Sequence, residues 1–189
     1  MKAGATLLLA VLLAPQAFAE PSAGVTFPDH VNVGGHELVL NGLGLREATV
    51  FMVDVYVAGL YLETKSSDAA SILDPARTKR LVMRFVRSVG KEKLVEAFTD
   101  GFEKNAGEKR EIVAPGLVAL NAAMADVKKD DAIALTYVPD TGVTVTVKGQ
   151  DVALIPGGDF QRVLFSVWLG AQPPNVTLRE GLLGRAAKR

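Results

Sequence analysis

The chain has 189 residues, 49% of them hydrophobic, with 21 basic residues balancing 21 acidic ones and no cysteine. Neutral charge without a basic stripe argues against a nucleic-acid surface, and the missing thiols exclude disulfides and thiolate metal centres. What remains is one domain of ordinary size, held together by its core alone.

The first segment is MKAGATLLLAVLLAPQAFAE. Lys2 precedes an apolar run, Ala3 to Ala14, that is too short to span a bilayer comfortably. Ala17-Phe18-Ala19 has the small-x-small form of a cleavage site. Residues 1–19 therefore read as a signal peptide and 20–189 as the folded domain. No cysteine follows the cleavage site to carry a lipid, and no later run is long enough to cross a membrane. The expected product is periplasmic or secreted, without a stable membrane anchor.

Strand signals follow at Val25 to Phe27, Val31 to Val33 and Glu37 to Leu40, with Gly34-Gly35 marking a hairpin between the last two. Gly42 and Gly44 punctuate the chain before Thr49 to Leu62, a β-branched and aromatic stretch that predicts a long central strand. Ser67 to Leu73 predicts a short helix capped by Ser66 or Ser67, with Pro75 beyond its end. Lys79 to Arg87 alternates in part and predicts a strand. Lys91 to Lys104 places Leu94, Val95, Phe98 and Phe102 on one helical face. Pro115 suits the first turn of a further helix, with Leu117, Leu120 and Met124 on one side. Asp130 to Val138, Gly142 to Lys148 and Asp151 to Leu154 predict an antiparallel meander. Helices over Phe160 to Leu169 and Thr177 to Leu183 end at Gly170 and Gly184. Strands, then helices, then strands and helices again describe an α+β fold, an antiparallel sheet with helices on one face. No glycine-rich phosphate loop follows a strand.

Little of this looks catalytic. His30 and His36 flank the Gly-Gly turn without further ligands at metal spacing, and read as exposed loop residues. No serine sits in a nucleophile-elbow motif. The departure from pattern is Arg46. In a continuous strand it would share a face with Ala48, Val50, Met52, Asp54, Tyr56 and Ala58. Few polar groups among apolar ones suit a ligand pocket. Equally, Arg46 could pair with Glu47 or Asp54 at the sheet edge.

The stretches LNGLGLREATVFMVDVYVAGLYLE, RLVMRFVR and GGDFQRVLFSVWLGAQPPNVTLREGLLG resemble bacterial chalcone isomerase-like proteins. The resemblance runs over nearly the whole chain after the signal peptide. It implies an open-faced β-sandwich: a long antiparallel sheet covered by a layer of helices, with a ligand cleft between them. In the plant isomerases an arginine opens the long strand, and Arg46 matches it. Tyr56 falls near the place of a strand threonine, and Ser166 near that of a late-helix serine or threonine. The isomerases' tyrosine has no match, since no tyrosine lies between Tyr61 and Tyr137, and their asparagine falls at Asp100 or Gly101. Fatty-acid-binding members hold a carboxylate with an arginine and a tyrosine, as Arg46 and Tyr56 could.

The resemblance thus implies a non-catalytic binder of a small apolar or carboxylate ligand, such as a fatty acid. Arg46, Tyr56 and Ser166 are its site residues, with no metal and no cofactor. The alternatives are an isomerase or lyase of the chalcone isomerase type and a structural or partner-binding envelope protein. Asp54 stands against the anchor, because a carboxylate on the same face would neutralise Arg46. Intact-mass analysis of the exported protein is expected to place Glu20 at its N-terminus; a product retaining Met1 in the membrane fraction would contradict the cleavage.

Overall fold

The computed structural model describes residues 24–48 and 53–185. The signal-peptide residues lie outside that range, as do Val50 and Met52 of the expected Arg46 face. Among the described residues, seven strands form one curled antiparallel sheet in sequential order. They are β1 (His30–Val33), β2 (His36–Ala48), β3 (Val53–Leu62), β4 (Lys79–Phe85), β5 (Ala132–Val138), β6 (Gly142–Val147) and β7 (Gln150–Ile155). The α-helices are α1 (Ala69–Ile72), α2 (Lys91–Asn105), α3 (Arg110–Ala122), α4 (Gly158–Leu169) and α5 (Val176–Leu182). This is the expected α+β arrangement, an open-faced β-sandwich of the chalcone isomerase type. The main core lies between the sheet and the helices, where Leu60, Leu81 and Leu135 meet Phe98, Phe102 and Phe165. A smaller cluster of Phe27, Leu38, Leu40, Val57 and Tyr61 covers the other face at β1–β3.

Several elements differ from the sequence reading. Of the long strand expected over Thr49 to Leu62, residues 49–52 lie outside the described range, and the rest is β3, the second arm of a hairpin. Its first arm, β2, runs straight through Gly42 and Gly44. Val25 to Phe27 is not a strand; Phe27 instead lays its ring against Gly59 from outside the sheet. The cap of α1 is Asp68, whose carboxylate accepts from the Ala70 and Ser71 amides at 3.2 Å each. Pro115 sits inside α3, because a 3-10 turn at Gly107–Lys109 starts the helix early. The ring costs the hydrogen bond to the Glu111 carbonyl, and exposed Glu111 can turn to water instead.

Glycine in the middle of a strand usually weakens it. Here Gly42 and Gly44 let α5 rest on the backbone of β2. A methyl group at Gly42 would overlap the Gly181 carbonyl, and one at Gly44 would overlap the Leu178 carbonyl. Gly181 answers from the helix side, facing Leu43 and Gly44. Buried Asn41 locks the junction. Its amide donates to Leu182 O at 2.8 Å and Ser66 O at 3.0 Å, and its carbonyl accepts from the Ser66 amide at 2.8 Å. Asn41 is also the extra residue of a β-bulge, since Leu40 pairs with Tyr61 and Gly42 with Leu60. That bulge turns Gly42, Gly44 and then Arg46 toward the helices.

Three consecutive carbonyls of the α1–β4 loop are held by buried side chains. Gln161 of α4 donates to Leu73 O, Lys79 of β4 to Asp74 O, and Tyr137 of β5 to Pro75 O, at 3.0, 2.8 and 2.8 Å. Lys79 has 0% exposure, donates also to Gln161 Oε1 at 3.0 Å, and sits over the Tyr137 ring. Burial pulls its pKa down to about 7, against the smaller opposing pull of Asp74.

Two outcomes are expected. Gly44→Ala should destabilise the fold by about 1–3 kcal/mol, because the new methyl meets backbone. A thermal melt would show a loss of several degrees, whereas an unchanged melting temperature would refute the contact. Unfolded lysine keeps its proton to about pH 10.4, so above about pH 7 the unfolded chain binds more protons than the folded one. The burial cost is complete below pH 7 and is relieved as pH rises. Stability measured by denaturant titration should therefore climb from pH 7 to 9, and Lys79→Met should remove that slope.

Candidate functional site

The helix-facing side of β2, β3 and β4 ends in a cleft of about 780 Å³. Arg46, Tyr56, Met83 and Phe85 form its floor; Leu94, Phe98 and Gly101 of α2 and Val167 and Trp168 of α4 form its walls. The volume lies in the range of small-molecule pockets, and apolar walls with few polar groups are their usual composition. Charged residues stand around it, Arg87, Lys93 and Lys104 against Glu96 and Asp100. Lys93 is taken by Glu96 at 2.6 Å.

Arg46 and Tyr56 sit directly opposite each other across the β2–β3 ladder. Sequence reading put them on one strand, ten residues apart; the hairpin instead makes them cross-strand neighbours on the helix-facing side. A second β-bulge completes the arrangement. Glu47 pairs with Asp54, so Val55 is left over, and both Val55 and Tyr56 pack against the helix-side core. The alternation that would have put Asp54 beside Arg46 is broken there. Asp54 borders a separate groove with Val25, Val86 and Lys129 and does not line the cleft. Arg46 donates to the Glu47 carbonyl and makes no ion pair among the described residues. Pairing with Glu47 or Asp54 side chains, the structural alternative for Arg46, is not what the geometry shows.

Tyr56 is 9% exposed, and its hydroxyl oxygen accepts from Trp168 Nε1 at 2.9 Å. Burial raises its pKa, outweighing the lowering by the Trp168 hydrogen bond and by the charge of Arg46. It is therefore a neutral phenol with a proton to donate, not a base. Phe85 meets its ring edge-on at 5.6 Å, and Phe98 meets Trp168 edge-on at 6.0 Å. In the sequence Trp168 stands out only as part of the stretch that resembles the family. Its role depends on the distance from α4 to β3, which no local pattern encodes.

Ser166 lies apart from these groups. It is buried, its hydroxyl donates to Val163 O within α4 at 2.6 Å, and it is not among the residues lining the cleft. Of the two places expected for the isomerases' asparagine, Asp100 lines the cleft, and Gly101 faces Val167 so closely that an added Cβ would lie 2.6 Å from its Cγ1. An asparagine cannot enter there without moving α2 off α4. His30 and His36 pair with Glu37 and Glu63 at 3.1 Å, on the surface and outside the cleft. No group of acidic and histidine side chains fit for a metal occurs among the described residues. None of their helices is long and apolar enough to cross a membrane.

A family model described as chalcone isomerase-like matches residues 19–184. No curated protein matches the chain. Among solved structures, it is similar to a fatty-acid binding protein of Arabidopsis thaliana. The TM-score is 0.74 at 16% identity, over 89% of this chain and 96% of that one. At that identity the likeness is one of fold.

Proposed function

The chain belongs to the chalcone isomerase-like family, and from that premise we propose that it is a non-catalytic binder of a fatty acid or a similar apolar carboxylate. The observation that carries this is the Arg46–Tyr56 pair at the floor of a cleft walled by apolar side chains of α2 and α4 and edged by charged ones. A guanidinium offers a carboxylate two parallel donors, and the phenol adds a third. The apolar walls receive the chain. The fold shared with a plant fatty-acid binding protein supports the same reading. The isomerases' tyrosine has no counterpart, and of the two places for their asparagine one holds a carboxylate, Asp100, and the other, Gly101, is closed by the α2–α4 contact. Ring closure would lack its positioning and proton-transfer groups. The N-terminal segment, with its basic, apolar and small-x-small parts, supports export to the periplasm or beyond.

A charge-assisted hydrogen bond is worth about 1.5–3 kcal/mol. Arg46→Ala should therefore weaken fatty-acid binding by roughly ten- to a hundred-fold, and Tyr56→Phe by a smaller factor, since it removes one neutral donor. Neither should greatly lower the melting temperature. Calorimetric titrations and thermal melts on the same variants decide the matter. A large loss of stability with unchanged affinity would overturn the anchor. Stereoselective cyclisation of a chalcone, abolished in Arg46→Ala, would replace binding with catalysis.

A further inference from the structure

The chain has three tyrosines, and two spend their hydroxyl hydrogen in the same way. Tyr61 donates to Pro28 O at 2.9 Å and Tyr137 to Pro75 O at 2.8 Å. Tyr56 differs. Its oxygen is an acceptor, taken by the indole of Trp168, and its own hydrogen has no acceptor among the described residues. An indole N–H can only donate. Trp168 is 2% exposed, so water does not compete for the contact. The indole thus fills the phenol's acceptor side and turns its O–H away from α4.

We propose that Trp168, by holding Tyr56 as a hydrogen-bond donor, makes the cleft select an acceptor-only head group, a carboxylate, over an alcohol of the same chain length. This rests on reading the cleft as a ligand site anchored at Arg46. At the floor of the cleft Arg46 and Tyr56 then offer donors only, the guanidinium and the O–H, while the carboxylates Glu96 and Asp100 stand among its other lining residues. A carboxylate brings two charged acceptor oxygens to them. An alcohol oxygen can accept from both, but it carries no charge to meet the guanidinium and brings a donor for which neither Arg46 nor Tyr56 supplies an acceptor, and an unpaired buried donor is costly. Sites built from directed hydrogen bonds discriminate strongly in this way. Trp168 is a positioning residue acting through Tyr56. It is itself placed by the end of α4, where Arg179 of α5 donates to Leu169 O at 3.0 Å.

The test compares dodecanoate with dodecan-1-ol by displacement of a fluorescent fatty-acid probe. Wild type should favour dodecanoate by about a hundred-fold or more, and Trp168→Phe should cut that ratio by about ten-fold. The phenyl ring retains contact with Phe98, while the freed phenol oxygen can now accept from the alcohol. In a Tyr56→Phe background the same change should leave the ratio unaltered, because nothing remains to be oriented. A tryptophan that served only packing would act alike in both backgrounds, and that result overturns the proposal. So does a ratio unchanged by Trp168→Phe in the wild-type background. Wild type binding both ligands equally would also overturn it, leaving the apolar cleft in place. Wild type binding neither would remove the ligand reading and this inference together. A second readout needs no variant. Trp168 is the only tryptophan, so the single indole N–H resonance of labelled protein reports on this hydrogen bond. Dodecanoate, by accepting from Tyr56, should strengthen the phenol oxygen as an acceptor and shift that resonance downfield. Dodecan-1-ol should not. An indole resonance indifferent to dodecanoate at saturation counts against the proposal.

Discussion

The contact between the backbone of β2 and α5 is the constraint on which the cleft depends. Sheet and helix normally stand apart by the thickness of their side chains. At Gly42, Gly44 and Gly181 there are none, and the helix lies on the strand itself. Leu178 and Leu182, both fully buried, fill the flanks. With α5 pinned, Arg179 reaches the last carbonyl of α4, and α4 carries Trp168 over Tyr56. The opposite end of α4 is held through Gln161, which shares the clasp on the α1–β4 loop with Lys79. The helix that shapes the polar end of the cleft is therefore fixed at both ends by polar contacts to the rest of the fold, not only by its apolar face.

Which side chains face the cleft is decided by two β-bulges. At Asn41 one residue is gained on β2, and everything after it changes sides; Arg46 turns inward as a result. At Val55 one residue is gained on β3, and Asp54 is sent away from Arg46 while Tyr56 stays beside it. Much of the fold was legible without this. The element order, the amphipathic face of α2 at Leu94, Phe98 and Phe102, and the meander ending at β7 all follow from local periodicity. The residue pattern singled out Arg46 with Tyr56 on its face, and the family likeness added a ligand role for them. What could not be read was pairing. Gly42 and Gly44 looked like interruptions because their reason, α5, is more than 130 residues away. Even spacing puts Arg46 and Tyr56 on one face of one strand, whereas the two meet as cross-strand neighbours of a hairpin. The assumption of one strand made Asp54 an obstacle. Trp168 and the loss of space at Gly101 were invisible for a similar cause: each depends on how closely two distant helices or strands approach.

Arg46 has a phenol as its cross-strand neighbour, and burial raises the pKa of that phenol. At Gly101 the space beside α2 is used for helix packing against Val167. On the reading proposed here, the cleft stabilises a charge that the ligand already carries, instead of one that develops during a reaction. Binding ground state and transition state alike gives affinity without rate.

The central claim is that Arg46 and Tyr56 hold an ionised carboxylate. The most direct measurement is a pH titration of dodecanoate bound to the protein, labelled with carbon-13 at its carboxyl carbon and followed by NMR. A guanidinium and a directed phenol both favour the charged form. The bound carboxyl resonance should stay at its ionised position to a pH well below that at which the free acid takes up its proton, and Arg46→Ala should return it toward the free value. A bound resonance that titrates like the free acid, in wild type and variant alike, would show that the ligand's head lies elsewhere and would contradict the account.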